Sequence, residues 1–269
     1  MSKKTIWANC IVNNEENFIW FALMSIVDYV DKILVWDTGS TDSTIDVIKE
    51  VIKEKGDKIK LKEVGFVDKY KFTRMRQKML DESNCDWVLV LDGDEIWWEN
   101  SIKSVIDMIN QKGDDIDAIV VPFYNAVGDI YHYQPKDFGK YELLGRRGHL
   151  TIRAINKKIP GLHLEGPYGK EGYYNGSGLP IQESSVRLNF LTAPFMHMTH
   201  LKRSSQPQRI NKYKFDLGVS LPSAISIPEV FNKSIPKEVP YSLRKRGLLY
   251  EFIARLILPF VFIKRSFKN

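Results

Sequence analysis

The chain has 269 residues, of which 43% are hydrophobic and 12% aromatic; this composition supports a packed core and excludes a disordered or fibrous protein. The formal net charge of +6 belongs to the C-terminus, because residues 1–239 carry 32 basic and 32 acidic side chains. We expect no nucleic-acid partner.

The cysteines and the N-terminus indicate the compartment. Cys10 and Cys85 lie in strand-like runs, so we expect buried small hydrophobic residues in a reducing environment rather than a disulfide or a metal site. The N-terminal residues lack the long apolar stretch of a secretory signal. The predicted location is the cytoplasm, including the inner face of the membrane.

Strand-like and helix-like segments alternate through the first 112 residues. Predicted strands cover residues 5–12, 32–36, 59–64 and the run around Val90, and predicted helices cover 15–29, the segment after Thr44, 72–82 and 101–112. Short connections between them predict a parallel sheet with right-handed crossovers, which is a doubly wound α/β fold. Further strand-like runs follow at 117–123, 150–155 and 186–190.

The loops that separate these later runs are rich in tyrosine. Aromatic residues at this density in long loops favour a binding site over disorder. The tyrosines are Tyr124, Tyr131, Tyr133, Tyr141, Tyr168, Tyr173 and Tyr174.

Three carboxylates follow the most apolar run of the chain. The run from Trp87 to Leu91 stops at Asp92, Asp94 and Glu95. Carboxylates this close repel one another, and ligands of open α/β sheets bind beyond the carboxyl ends of the strands. A divalent cation would neutralise the cluster and hold a phosphate-bearing substrate. The alternative is a solvated acidic turn.

Four motifs follow one another along the first 100 residues. They are Asn13-Asn14-Glu15-Glu16, Asp37-Thr38-Gly39-Ser40-Thr41-Asp42, Phe72 with Arg76 four residues later, and Asp92-Gly93-Asp94-Glu95. In this order they resemble the motifs of the family 2 glycosyltransferases of the GT-A fold. The resemblance is strong over roughly residues 5–100 and extends more weakly to about residue 215.

The resemblance implies a GT-A type α/β fold, doubly wound, with a mostly parallel sheet. Residues 1–100 would form the nucleotide-sugar-binding half, and 101–215 the acceptor-binding half of the same domain, with mixed α+β structure. Residues 216–269 would form a Pro-containing linker and a basic amphipathic helical tail. The implied reaction is metal-assisted, inverting transfer of a sugar from a UDP- or GDP-linked donor to a glycan or lipid-linked glycan, as in cell-envelope polysaccharide biosynthesis.

The resemblance also implies roles for individual residues. Asp37, Arg76 and Asp92 would bind the donor, and Asp94 and His200 would bind Mn²⁺ or Mg²⁺. A planar, permanently charged guanidinium such as that of Arg76 suits a phosphate or a base edge. Asp37 could instead cap a helix and Arg76 could be a solvated charge. His197 is the alternative to His200, and in an extended strand the two would point to opposite faces.

Inverting transfer needs a carboxylate that accepts the proton of the acceptor hydroxyl. The resemblance favours Glu165, because relatives often carry a His-Glu pair after a strand with an arginine such as Arg153. Here Leu164 separates His163 from Glu165, so either of the two could hold the working position. The other candidates are Glu171 and Asp137.

The tail combines basic residues with an apolar run. Residues 240–269 contain seven basic side chains and a single acid, Glu251. The apolar run is shorter than the approximately 20 residues that span a bilayer, so peripheral contact of an amphipathic helix with a membrane fits better. The alternative is a helix that packs on the body or on a second subunit.

Two other classes of protein remain as alternatives. A nucleotidyltransferase of similar fold would ordinarily have a Gly-rich, basic loop after the first strand, and Asn13-Asn14-Glu15-Glu16 is not one. A non-catalytic nucleotide-sugar-binding module would keep the fold without the reaction.

Overall fold

The computed structural model describes residues 3–167, 169–201, 216–222, 225–240 and 243–266, with side chains as far as residue 260. Tyr168 lies outside these ranges. The alternation predicted for the first 112 residues is confirmed. The strands are β1 (Ile6–Val12), β2 (Lys32–Asp37), β3 (Ile59–Glu63) and β4 (Trp87–Asp92), and the helices are α1 (Ile19–Ile26), α2 (Thr44–Lys55), α3 (Phe72–Glu82) and α4 (Glu99–Lys112).

These four strands run parallel in the order β3-β2-β1-β4. Helices cover both faces of this sheet. The central residues of β2 are apolar because its side chains pack alternately against helices on the two faces. Ile33 and Val35 pack in the cluster that contains α1 and α2, whereas Leu34 and Trp36 pack with Met79 of α3. The predicted doubly wound arrangement is therefore confirmed.

The second half extends the sheet with mixed strand directions, as expected. Strand β10 lies between β4 and β6 and is antiparallel to both, and β14 runs parallel to β6 and antiparallel to β5. The later strands are β5 (Glu95–Trp97), β6 (Ala118–Val127), β7 (Asp129–Tyr133), β8 (Tyr141–Leu143), β9 (Arg146–Gly148), β10 (Leu150–Asn156), β11 (His163–Glu165), β12 (Gly172–Tyr174), β13 (Leu188–Phe190), β14 (Phe195–His197) and β15 (Val219–Ser220).

Helix α1 is shorter than predicted, and the polar segment before it forms a turn that packs against another loop. Asn14 has φ 53°, and its side-chain oxygen accepts a hydrogen bond from the Thr41 amide at 2.7 Å. The Glu15 amide donates to the Thr44 hydroxyl at 2.7 Å. The β1–α1 and β2–α2 connections are thereby tied together at the carboxyl end of the sheet.

The predicted C-terminal helix is present as α5 (Leu248–Ser266), with Pro259 inside it. Its first turns pack on the body of the protein, where the Tyr250 hydroxyl donates to the Asp216 carbonyl at 2.9 Å. Among the helices in the described ranges, none has the length and apolar character needed to cross a membrane.

Candidate active site

A cleft of about 490 Å³ opens where β1, β2 and β4 end. The chain runs outward from β1 through β2 to β3 and then returns to β4 on the other side of β1, so the cleft lies at a topological switch point, where open α/β sheets bind ligands. The lining residues are Ile11, Val12, Asn13, Glu15, Thr38, Phe66, Val67, Lys69, Phe72, Arg76, Asp92, Gly93, Asp94, Tyr141, Gly169, Glu171 and His197.

Asp92 is held between two arginines. Arg76 Nη2 lies 2.9 Å from Asp92 Oδ1, and Arg153 Nη2 lies 3.3 Å from Asp92 Oδ2. Burial alone would raise the pKa of Asp92, but the two guanidiniums hold it well below its usual range. Asp92 is therefore an anion with both oxygens already engaged, which makes it a poor direct metal ligand and a good positioning acceptor.

Glu95 contacts Asp92 and Arg153 from the core side and is fully buried. Its carboxylate contacts Arg153 Nη2 and accepts a hydrogen bond from the Asp92 amide at 3.3 Å. Burial raises the pKa of Glu95 to about 7; the negative charges of Asp92 and Asp94 add to this, and Arg153 opposes it. Glu95 therefore supports Asp92 from inside the core rather than facing the cleft.

Asp94 pairs with His197 at the edge of the cleft. His197 Nε2 lies 3.2 Å from Asp94 Oδ2, and the Met198 amide donates to the Asp94 carbonyl at 2.9 Å. Burial opposes the imidazolium, but Asp94, Glu95 and Asp92 raise the pKa of His197 above its ordinary value. A carboxylate oxygen and an imidazole nitrogen thus contact each other at the cleft, and both belong to ligand types that Mn²⁺ accepts.

His200 lies beyond the end of β14. The strand ends at His197, and the chain then turns, with the Leu201 amide donating to the Met198 carbonyl at 2.9 Å. His200 is absent from the lining of the cleft. His197, the alternative in the sequence analysis, lies beside Asp94, and metal binding by His200 remains a prediction.

Asp37 ends β2, but its carboxylate turns into the following loop. Oδ1 accepts hydrogen bonds from the Gly39 and Ser40 amides at 2.9 Å each, and the Ser40 hydroxyl donates to Oδ2. Asp37 is only 1% exposed, and the next residue, Thr38, lines the cleft. Donor binding by Asp37 remains a prediction. Thr38 was missed, although its place directly after the strand could have indicated it.

Gly39 brings a second loop to the cleft. It has φ +88°, and a Cβ there would lie 3.0 Å from the Phe66 nitrogen. Only glycine accommodates both the conformation and this close approach. The contact brings the β3–α3 loop to the cleft, where the Phe66 ring is 87% exposed.

The β11–β12 hairpin places the candidates for the general base differently relative to the cleft. Glu165 is exposed and lies 2.9 Å from His163 Nε2, and neither residue lines the cleft. Glu171 does line it, with Oε1 4.0 Å from Arg76 Nε, and its other oxygen accepts a hydrogen bond from the Gly169 amide. Asp137 lies in a one-turn 3₁₀ helix outside the lining.

Comparison with known sequences decides the family. Residues 11–164, more than half of the chain, match the sequence model described as Glycosyl transferase family 2. The chain belongs to this family. Within this family 2 chain, the matched segment contains the last two residues of β1, all of β2 to β4, and the Arg76, Asp92, Asp94 and Arg153 cluster.

Two curated relatives resemble this family 2 chain over part of its length. They are the SPbeta prophage-derived glycosyltransferase SunS of Bacillus subtilis strain 168 and the glycosyltransferase SunS of Bacillus phage SPbeta. Each is 27% identical over 168 residues, which is 58% of this chain and 36% of the relative. The chain thus aligns with about a third of the length of these relatives.

Solved structures resemble this family 2 chain more distantly. Staphylococcus aureus TarS 1–349 in complex with UDP-GlcNAc has a TM-score of 0.49 and 14% identity, over 72% of this chain and 58% of that one. The mannosyltransferase PcManGT from Pyrobaculum calidifontis, in complex with GDP-Man and Mn²⁺, has a TM-score of 0.48 and 13% identity, over 80% and 63%. Likeness at this level carries no argument about substrates.

Proposed function

We propose that the chain is a glycosyltransferase that moves a sugar from a nucleotide-sugar donor to a glycan or lipid-linked glycan, with inversion at the anomeric carbon. One observation carries the proposal: Arg76, Asp92, Asp94 and His197 come from distant segments and line one cleft at the switch point of the sheet. Membership of glycosyl transferase family 2 supports a transferase.

The donor would lie along the ends of β2, β1 and β4. Thr38, the residue after Asp37, lines the side expected for the nucleoside, and Arg76 offers a permanent positive charge for phosphate oxygens. Asp92, fixed by Arg76 and Arg153, would accept hydrogen bonds from donor hydroxyls. A UDP- or GDP-linked sugar fits this combination of positive charge and hydrogen-bond acceptors.

Asp94 and His197 would hold a divalent cation, Mn²⁺ or Mg²⁺. In the part of the chain that the structure describes, no three His, Cys, Asp or Glu side chains lie close enough to hold an ion by themselves. The two protein ligands would therefore leave room for phosphate oxygens and water. The ion, when bound, would stabilise the negative charge that develops on the leaving nucleoside diphosphate.

Glu171 would act as the general base. The acceptor oxygen attacks the anomeric carbon, its proton passes to the Glu171 carboxylate, and the bond to the diphosphate breaks. The position of Glu171 in the cleft and its anchoring by the Gly169 amide support this choice. Glu165, which the family resemblance favoured, remains the alternative.

The acceptor would enter past the exposed rings of Phe66 and Tyr141, which are 87% and 59% exposed. Such rings stack on the C–H faces of sugars. The basic segment 240–269 would bring the protein to a membrane, so an acceptor on a lipid carrier at the cytoplasmic face is the proposed setting, with cell-envelope polysaccharide synthesis as the process.

A panel of nucleotide sugars tests the proposal. Each UDP- and GDP-linked sugar is incubated with the protein and Mn²⁺ or Mg²⁺, and free nucleoside diphosphate is measured with and without a chelator. We expect metal-dependent release from at least one donor. Donor binding without release would favour a non-catalytic module, and release of pyrophosphate from a nucleoside triphosphate would favour a nucleotidyltransferase.

A further inference from the structure

Helix α5 exposes a continuous apolar face. Its large exposed residues fall within an arc of about 120° when successive residues are placed 100° apart. They are Leu248, Leu249, Phe252, Leu256 and Phe260, with exposures of 89%, 72%, 62%, 59% and 70%. A surface helix normally turns such residues inward, so this face, here called the α5 apolar face, is unusual for a water-exposed surface.

The opposite side of the helix is fixed to the protein. Ala254, diametrically opposite the middle of the α5 apolar face, is fully buried. The Arg246 amide donates to Asp129 Oδ2 at 3.1 Å, and Arg246 Nη1 donates to the Leu217 carbonyl at 2.6 Å. The orientation of the helix on the body is therefore set by contacts, and the apolar face cannot simply roll inward.

A glycine makes this docking possible. A Cβ at Gly128 would lie 2.8 Å from the Tyr250 ring and 2.9 Å from Arg246 Cδ, and Gly128 has φ +76°. The Tyr250 and Arg246 side chains can therefore pack against the tight β6–β7 turn because residue 128 has no side chain.

The charges around the α5 apolar face are positive. Arg244 and Lys245 are exposed just before the helix, and the Arg255 side chain is 73% exposed at the edge of the face. The single acid of residues 240–269, Glu251, accepts a hydrogen bond from Arg246 Nε at 2.5 Å and lies 3.8 Å from Arg255 Nε. The local acid is thus neutralised, and a net positive border remains.

We propose that the α5 apolar face docks onto an anionic lipid bilayer, with its leucines and phenylalanines at the acyl boundary and its cations among the headgroups. Charge complementarity selects this occupant over a second copy of the chain, because two copies would bring the same cations together. The proposal concerns a surface outside the cleft and does not depend on transferase activity.

Sedimentation of the 269-residue chain with vesicles tests the proposal without any donor. We expect binding to vesicles of phosphatidylcholine mixed with phosphatidylglycerol, weaker binding to phosphatidylcholine alone, and release by high salt. The L249S/L256S double variant should bind about a hundredfold more weakly, since each leucine removed from the acyl boundary lowers the affinity about tenfold. The matched control L144S/L179S replaces two leucines that are each 47% exposed elsewhere and should bind as wild type.

A second pair of variants tests the contribution of the exposed cations beside the α5 apolar face. R244Q/R255Q should lose roughly fivefold per residue for anionic vesicles, whereas K103Q/K112Q, exposed on α4, should not. Circular dichroism verifies that each variant is folded. Equal binding by all variants, or no binding by wild type, would overturn the proposal. So would a wild-type dimer in light scattering that L249S/L256S converts to a monomer without any change in vesicle binding.

Discussion

His197 Nε2 and Asp94 Oδ2 lie 3.2 Å apart at the edge of the cleft. Strand pairing brings them together, because β14 runs beside β5 with His197 opposite Glu95, the residue after Asp94. Their positions are therefore set by the backbone of two strands rather than by flexible loops, which suits the proposed role of the pair in holding an ion in a fixed place.

His197 and His200 are expected to differ sharply on substitution. His197→Ala removes a nitrogen that faces Asp94, so metal-dependent donor turnover should fall by at least about a hundredfold. His200→Ala is the matched control and should retain most of the activity. The measurement is nucleoside diphosphate release against Mn²⁺ concentration. A greater loss in His200→Ala would restore the sequence-based assignment.

Replacing Glu171 or Glu165 by glutamine distinguishes the two candidates for the general base. Glu171→Gln keeps the shape of the side chain but cannot accept the acceptor proton, so kcat should fall about 10²- to 10⁴-fold with little change in KM for the donor. Glu165 is exposed on strand β11, so Glu165→Gln should have a small effect. If Glu165→Gln causes the larger fall in kcat, Glu171 is not the base.

Gly39 and Gly65 provide a matched test of the loop contact. Both have positive φ, but a Cβ at Gly39 meets the Phe66 backbone whereas a Cβ at Gly65 meets nothing within 4 Å. Each alanine should cost about 1–2 kcal/mol of unfolding free energy from strain, and Gly39→Ala should cost on the order of 1 kcal/mol more. Urea unfolding measures both, and equal costs would argue against the close approach.

The buried Glu95 should make stability depend on pH. Its folded pKa of about 7 lies above its ordinary 4.5, so the folded state binds the proton more tightly than the unfolded state. The free energy of unfolding should therefore fall as pH rises from about 4.5 to about 7. The free energy of unfolding of Glu95→Gln should fall less over this pH range than that of wild type. Unfolding both proteins in urea with a chelator measures this difference. Parallel profiles would mean that Glu95 is already ionised at the lower pH.

The sheet could be predicted from sequence because its elements carry strong local patterns. Phe72, Met75 and Met79 recur at helical spacing, and α3 has the bounds expected from them. The three-residue strands β5, β8 and β11 had no such signal, since three residues cannot show alternation. Tertiary pairing, not local preference, makes them strands.

The site could be predicted only in part for the same reason. Asp92 and Asp94 lie at the end of an apolar strand, so their position at the edge of the sheet could be predicted from the sequence. The contact of His197 with Asp94 depends on the pairing of β14 with β5, and the sequence does not mark that pairing. Glu171 reaches the cleft because the β11–β12 hairpin pairs Glu165 with Gly172, which no periodicity reveals.

Calorimetric titration of UDP and GDP into the protein tests the central claim most directly, namely that Asp94 and His197 bind a donor diphosphate through a shared cation. Wild type should bind one of them in Mn²⁺ and at least about tenfold more weakly in chelator. Asp94→Ala should lose the Mn²⁺ dependence with its fold intact, whereas Asp107→Ala, an exposed aspartate of α4, should keep it. Binding that is equally tight in chelator, or unchanged in Asp94→Ala, would contradict the account.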